Sequence, residues 1–210
     1  MESDQHIGKV VGVIVVVLML RSAALAEISS GAPGEAARGA AATALALCCE
    51  ADQLSGAERQ RVLMRGLGLA EDAAATDPSN AQAHFAVFCN LGKQVQSRAL
   101  GLRDLGVIGH LREELDTTLA LAPDDAGALT AKGAMLLALP WLLGGDVEQG
   151  MRLLRAALMK DPTNAPARRY LSAALRSRGA ESEARALEML DIPTAAPAAV
   201  CARFAGGVAR

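Results

Sequence analysis

Aromatic residues are nearly missing from this 210-residue chain: three Phe, one Tyr and one Trp make up 2 % of it, although 51 % of its residues are hydrophobic. The apolar content is therefore mostly Ala, Leu and Val, which suits close helix-on-helix packing and leaves a β-sandwich without its usual fillers. Charge of one sign is also scarce. With 21 basic and 23 acidic residues the formal net charge is −2, which argues against broad electrostatic attraction to nucleic acid or an anionic membrane. Histidine is scarcer still. Only His84 and His110 lie beyond the N-terminal segment, and His110-Leu111-Arg112-Glu113-Glu114 lacks the second histidine of a zinc helix motif. Both are expected to be packed or solvated, and no catalytic residue, metal or other cofactor is expected. Gly66-Leu67-Gly68 follows no strand, so it reads as helix packing and not as a phosphate loop; Glu113, Glu114 and Asp116 read as a solvated helix face.

What is present begins with an apolar run at residues 10–20, preceded by Lys9 and followed by the small-x-small triplet Ala24-Leu25-Ala26. A run of 11 residues is too short to span a bilayer, which needs about 20. Residues 1–26 are therefore expected to be a cleaved signal peptide, with an uncleaved N-terminal anchor as the alternative and the one route to membrane contact. The expected location is outside the cytoplasm, in a bacterial periplasm. Residues 27–34, with Ser, Gly and Pro and no periodicity, are expected to form a linker. In an oxidising compartment Cys48, Cys49, Cys89 and Cys201 become candidates for disulfides. Cys48 and Cys49 are adjacent on a helix and point about 100° apart, so they do not bond each other; either could reach Cys89 or Cys201, but Cys89 lies in an apolar helix and reads as core, and the expectation is that no disulfide forms.

Three times a proline stands before a helix-start signal and an alanine: Asp77-Pro78-Ser79-Asn80-Ala81, Pro123-Asp124-Asp125-Ala126, and Asp161-Pro162-Thr163-Asn164-Ala165. Proline ends one helix, and the Ser, Asp or Thr after it can cap the next. The prolines are 45 and 39 residues apart, the period of a helix-pair unit. A first helix is expected over 35–49. Ser55 with Glu58, and Ser79 with Gln82, form capping boxes for the second and third. Val62, Gly66, Leu69 and Ala73 are expected to line the inner face of the second helix, and a long connection over 93–106 leads to a helix carrying Ile108, Leu111, Leu115 and Leu119. The clearest unit pairs a helix over 125–139, with Leu129, Gly133 and Leu136, with one carrying Val147, Gly150, Met151, Leu154, Ala157 and Leu158. Small residues stand where two helices would cross. A fourth unit carries Tyr170, Leu171 and Leu175, then Gly179, Ala184 and Leu187. The domain is thus expected over 35–190, with a tail at 191–210.

This pattern resembles the tetratricopeptide repeat (TPR). Gly145-Asp146-Val147-Glu148-Gln149-Gly150, Leu154, Ala157 and Asp161-Pro162 look like the turn, the small packing residue, the larger aliphatic and the terminal proline of its second helix. Gly179 and Ala184 repeat it, as do Gly66, Ala73 and Pro78. Two units exceed the usual 34 residues, and Phe88 and Leu111 stand where small residues are usual. Asn90-Leu91-Gly92-Lys93, His110-Leu111 and residues 119–126 are in addition similar to two divergent groups, the regulator of microtubule dynamics family and the periplasmic T-component proteins of TRAP transporters.

The resemblance implies an all-α antiparallel helix-pair solenoid of about four pairs, acting as a non-enzymatic scaffold that holds a protein or peptide on its concave face. Inward positions would be Gln82, Phe85 and Cys89, then Thr130, Ala134 and Leu137, then Arg169 and Arg176. The two arginines, seven apart on one face, either hold a peptide carboxylate or are simply solvated. The T-component resemblance implies instead a periplasmic small-molecule binder serving a transporter, with the 93–106 connection as its lid. Trp141, in the apolar connection 137–144, is expected to fold back with Leu142 over the neighbouring helix pair; the alternative is an exposed contact for a partner or a second copy. At Gly150, alanine is expected to be tolerated and leucine to overpack the crossing.

Overall fold

The structure, a computed structural model, describes residues 33–96 and 105–189. The apolar run at 10–20, the middle of the 93–106 connection, Cys201 and the tail at 191–210 lie outside the described residues. Among those described are eight α-helices and no strand: α1 (Pro33–Glu50), α2 (Gly56–Thr76), α3 (Ala81–Gln96), α4 (Leu105–Leu121), α5 (Ala126–Ala138), α6 (Val147–Lys160), α7 (Ala165–Ser177) and α8 (Glu181–Met189). The chain is all-α. From α2 to α8 each helix packs on the next, and α5 also touches α7. The described residues from Ala37 onward belong to one compact unit. Helix α1 begins at Pro33, inside the expected linker, because proline suits a first helical position where no amide bond is lost.

The proline turns show why the helices stop and restart where they do. In the first, Asp77 Oδ1 accepts both the backbone N–H and the hydroxyl of Ser79, and Asn80 Oδ1 then accepts from Ala83 N. The third is the same turn, with Asp161 holding Thr163 and Asn164 capping Ala167 N. In both, the residue four after the asparagine reaches back to the proline carbonyl: His84 to Pro78 O and Arg168 to Pro162 O. At the second turn Asp125 caps Ala128 N. The caps are therefore Asn80, Asp125 and Asn164. Ser79 and Thr163 are one residue too early and serve the turn instead, so the Ser79–Gln82 capping box does not form as expected. Ser55 also caps nothing with its side chain.

Packing follows the small residues. The inner stripe of α2 is Leu63, Gly66, Ala70 and Ala73, with Val62 and Leu69 on its flanks, one residue or about 100° away from two of the expected positions. Gly66 lies against Asn90 of α3, whose fully buried amide nitrogen donates to Ala86 O and, across to α1, to Ala44 O. Helices α5 and α6 cross at two facing glycines. A Cβ on Gly150 would lie 2.9 Å from Gly133 O and 3.1 Å from Leu137 Cγ; one on Gly133 would meet Gly150 O at 2.9 Å. Alanine at Gly150 therefore meets backbone, contrary to the expectation that it would be tolerated. Leu129, Met151, Leu154, Ala157, Leu171 and Leu175 close the core around this crossing.

Helix α1 is tied to α3 by a disulfide between Cys48 and Cys89, contrary to the expectation that none forms, because the packing of α1 on α3 brings the two together. Beside it Lys93 Nζ donates to Cys48 O at 2.8 Å and pairs with Asp52 at 2.7 Å.

Candidate functional site

Helices α3, α5 and α7 leave a groove between them. On α3 the residues Phe85, Phe88, Cys89 and Gly92 recur at helical spacing, so they share one face; on α5 the small residues Gly127, Ala131, Ala134 and Ala138 do the same. Small side chains on α5 keep the floor low, and the aromatics on α3 form a wall. Phe85 and Phe88 stack with centroids 6.1 Å apart. The groove holds two cavities that share Phe88, Cys89 and Ala131. One, of about 360 Å³, lies at the N-terminal ends of α5 and α7 by Thr130 and Pro166. The other, of about 380 Å³, extends towards Leu139 between Met135, Tyr170 and the α4 residues Ile108 and Leu111.

Of the residues expected to face inward, the groove brings together Phe85, Cys89, Thr130 and Ala134. Gln82 is half-buried at the start of α3 and does not line either cavity. Leu137 turns towards Gly150 and packs with the α5–α6 core. The arginines do not line the groove. Arg169 lies over the Tyr170 ring at 5.2 Å, and Arg176 is bound to Glu188 and close to Glu181 on α8. The Arg176 guanidinium and the Ser172 hydroxyl both donate to Glu188 and hold its carboxyl below the usual carboxylate value; Glu188 in turn raises Arg176. Phe88, Ala131, Met135 and Tyr170 were missed as lining residues. The signal for Phe88 was its place three residues after Phe85, which the repeat pattern counts as a misfit and the groove uses as a wall.

Among the described residues, three charged side chains border the groove. Asp125 and Asp161 stand at the end formed by the starts of α5 and α7, and Lys93 stands at the far end, where it is held by Asp52 and Cys48 O. Outside the groove, His84 Nδ1 lies 2.7 Å from Glu114 Oε2 and its Nε2 lies 3.0 Å from Pro78 O. Glu114 therefore clasps α3 and is largely shielded, and Asp116 pairs with Lys132, so the acidic face of α4 is not merely solvated as expected. Among the described residues no group of three or more His, Cys, Asp and Glu is placed to hold a metal ion.

Trp141 does not fold back. It begins a 3-10 turn (Trp141–Leu143) in which Trp141 is 80 % and Leu142 73 % exposed. The backbone of this turn is well held. Leu143 and Gly145 N–H groups donate to Pro140 O, Asp146 N donates to Leu136 O, and Arg112 Nη2 donates to Leu143 O. Gly144 has φ +80°, and a Cβ on Gly145 would run into Leu139 O, so the turn is tight enough to need both glycines. Its hydrogen bonds direct the two large side chains outward.

No helix among the described residues is long and apolar enough to cross a membrane. No protein-family model and no curated protein matches this sequence.

Proposed function

We propose that this chain is an exported, non-enzymatic scaffold of the TPR type, its helix pairs stacked as a short solenoid, which holds a peptide or protein segment in the groove along α3, α5 and α7. The observation that carries this reading is the groove itself: one apolar channel, walled by aromatics and floored by small residues, running along α3, α5 and α7. The matching turns at Asp77 and Asp161 support a repeated unit. Export to an oxidising compartment is supported by the Cys48–Cys89 disulfide, since such bonds are rare where thiols are kept reduced. Recognition through an apolar groove also fits a net charge close to zero.

Selection of displayed peptides on the folded chain tests this. Enriched peptides are expected to bind at least about tenfold more weakly to Ala134→Leu, which fills the floor of the groove while leaving the melting temperature unchanged. Failure to enrich any peptide, or equal binding to the variant, would overturn it. A second reading, a small-molecule binder of the transporter-associated kind, draws on the cavity volumes of about 360 and 380 Å³, which fall within the range of ligand pockets. Native mass spectrometry of the exported protein separates the two: a retained small mass favours the binder.

A further inference from the structure

We propose that the first occupant of the groove is this chain's own C-terminal segment, residues 190–200, drawn across α7, α5 and α3 and fixed by a disulfide between Cys201 and Cys49 of α1. This rests on the groove being a peptide-binding surface, as proposed above, and adds how that surface is regulated. The argument starts at α1. Cys48 is bonded to Cys89, and its neighbour Cys49, half-buried on the same helix, is disulfide-bonded as well. The sequence holds four cysteines, so Cys201 is the one left to be its partner within the chain. Cys89 lines both cavities, so the anchor on α1 lies at the α3 side of the groove.

The segment starts at the other side, from the end of α8. Ser172 of α7 donates to Glu188, so the two helices run antiparallel and the chain leaving Met189 heads back towards the start of α7. There Arg168, nine-tenths buried, gives Nη2 to Pro162 O and leaves Nε without a hydrogen-bond partner among the described residues. Arg168 stands four residues after Asn164 as His84 stands four after Asn80, and His84 meets Glu114 of the helix that follows. Asp191, three residues after Glu188, is the carboxylate in the matching place for Arg168. From here the groove is next, since Asn164 and Pro166 line its near end.

The chemistry of the segment fits the channel. Residues 192–200 carry no charge and are mostly alanine, between Ile192 and Val200. Pro193 and Pro197 oppose a helix and favour the extended polyproline form, which docks against aromatic walls such as that of Phe85 and Phe88. The twelve steps from Met189 to Cys201 reach about 37 Å in that form, and three helix-to-helix steps of about 10 Å lead from α7 to α1. The span suffices. The bond forms by exchange with an oxidised disulfide carrier of the compartment: the thiols of Cys49 and Cys201 lose two protons and two electrons, and the carrier's disulfide becomes two thiols. A segment tethered in this way competes with any partner at an effective concentration on the order of 1 mM, so the groove opens when the bond is reduced.

Mass mapping of the full chain from an oxidising compartment, alkylated in denaturant without reductant, is expected to find Cys49 and Cys201 unlabelled in a monomer. Cys201→Ser is expected to take one label, at Cys49. Labels on both residues of the parent, or a covalent dimer through Cys201, would overturn the proposal. The equilibrium constant for forming the bond in glutathione buffer is expected to fall at least about tenfold in Ala196→Asp, which carries a charge into the apolar channel without touching the helical core; an unchanged constant would overturn the path through the groove. Peptides selected on the folded chain are expected to bind Cys201→Ser at least about tenfold more tightly than the parent. Equal binding would leave the groove as a peptide site and overturn its occupation by the tail. Binding to neither form, with the bond in place and sensitive to Ala196→Asp, would overturn the scaffold reading and leave the self-contact standing.

Discussion

Replacing Gly150 by alanine is expected to destabilise this protein, although alanine is the better helix former by about 1 kcal/mol. The added Cβ would lie 2.9 Å from the backbone carbonyl of Gly133 and 3.1 Å from Leu137 Cγ. Leu137 can turn aside; the carbonyl can move only if α5 and α6 separate along the whole crossing, where Leu129, Met151 and Leu154 are closely packed. Overpacking of this kind costs about 1–3 kcal/mol, and with rigid backbone on one side the upper half of that range applies. After the propensity gain the net loss is about 1–2 kcal/mol, a fall in melting temperature of about 2–8 °C for a chain of this size. The chain supplies its own control. Gly68 lies on the exposed side of α2, with nothing within 4 Å of an added Cβ, so Gly68→Ala is expected to raise the melting temperature by about 2–4 °C. Thermal melts followed by circular dichroism compare the two. If Gly150→Ala melted at or above the parent while Gly68→Ala behaved as expected, α5 and α6 would not approach at these glycines, and the pairing of the best-marked unit would be wrong.

Loss of the α1–α3 link by Cys48→Ala together with Cys89→Ala is expected to cost about 3–4 kcal/mol, from the 41-residue separation that the bond closes, and to lower the denaturation midpoint; an unchanged midpoint would show that the bond is not formed. Trp141→Ala is expected to leave stability within about 0.5 kcal/mol, because its side chain is 80 % exposed, and outright unfolding would restore the covering role that the sequence suggested. Glu188 has a lowered folded pKa, so its contribution is present above the ordinary value near 4.5 and is lost as pH falls through the lower folded value. Protection of the α8 amides, taken relative to their intrinsic exchange rates, is therefore expected to fall in acid below pH 4.5, and Glu188→Gln is expected to show the lower protection already at neutral pH; a parent protein whose α8 protection does not change in acid would refute the pairing with Arg176.

The order of helices was legible in the sequence because it depends on local chemistry. Proline stops a helix wherever it falls, asparagine and aspartate cap within three residues, and a stripe of apolar side chains at helical spacing needs no partner to be seen. That placed the ends of α2, α5, α6 and α7, the start of α3, the buried stripe of α5, and the small residues Gly66, Gly133 and Gly150; the connection expected from residue 93 begins later, because α3 runs on to Gln96. Tertiary structure decided what depends on distance between helices. Alanine looks harmless at Gly150 until the carbonyl of Gly133 is seen 2.9 Å away. Cys48 and Cys49 differ by one residue, and only the rotation of α1 against α3 selects Cys48 for Cys89. Phe88 stands where the resemblance expects a small residue, yet it walls the groove, because the groove lies between α3 and α5, helices that are not consecutive in the chain. The arginines were placed on the right helix, but α8 draws Arg176 to Glu188, and Trp141 is turned outward by backbone hydrogen bonds that no side-chain pattern encodes. Spacing along the chain determines which face a residue occupies; which neighbour meets that face is set by the packing of segments far apart in sequence.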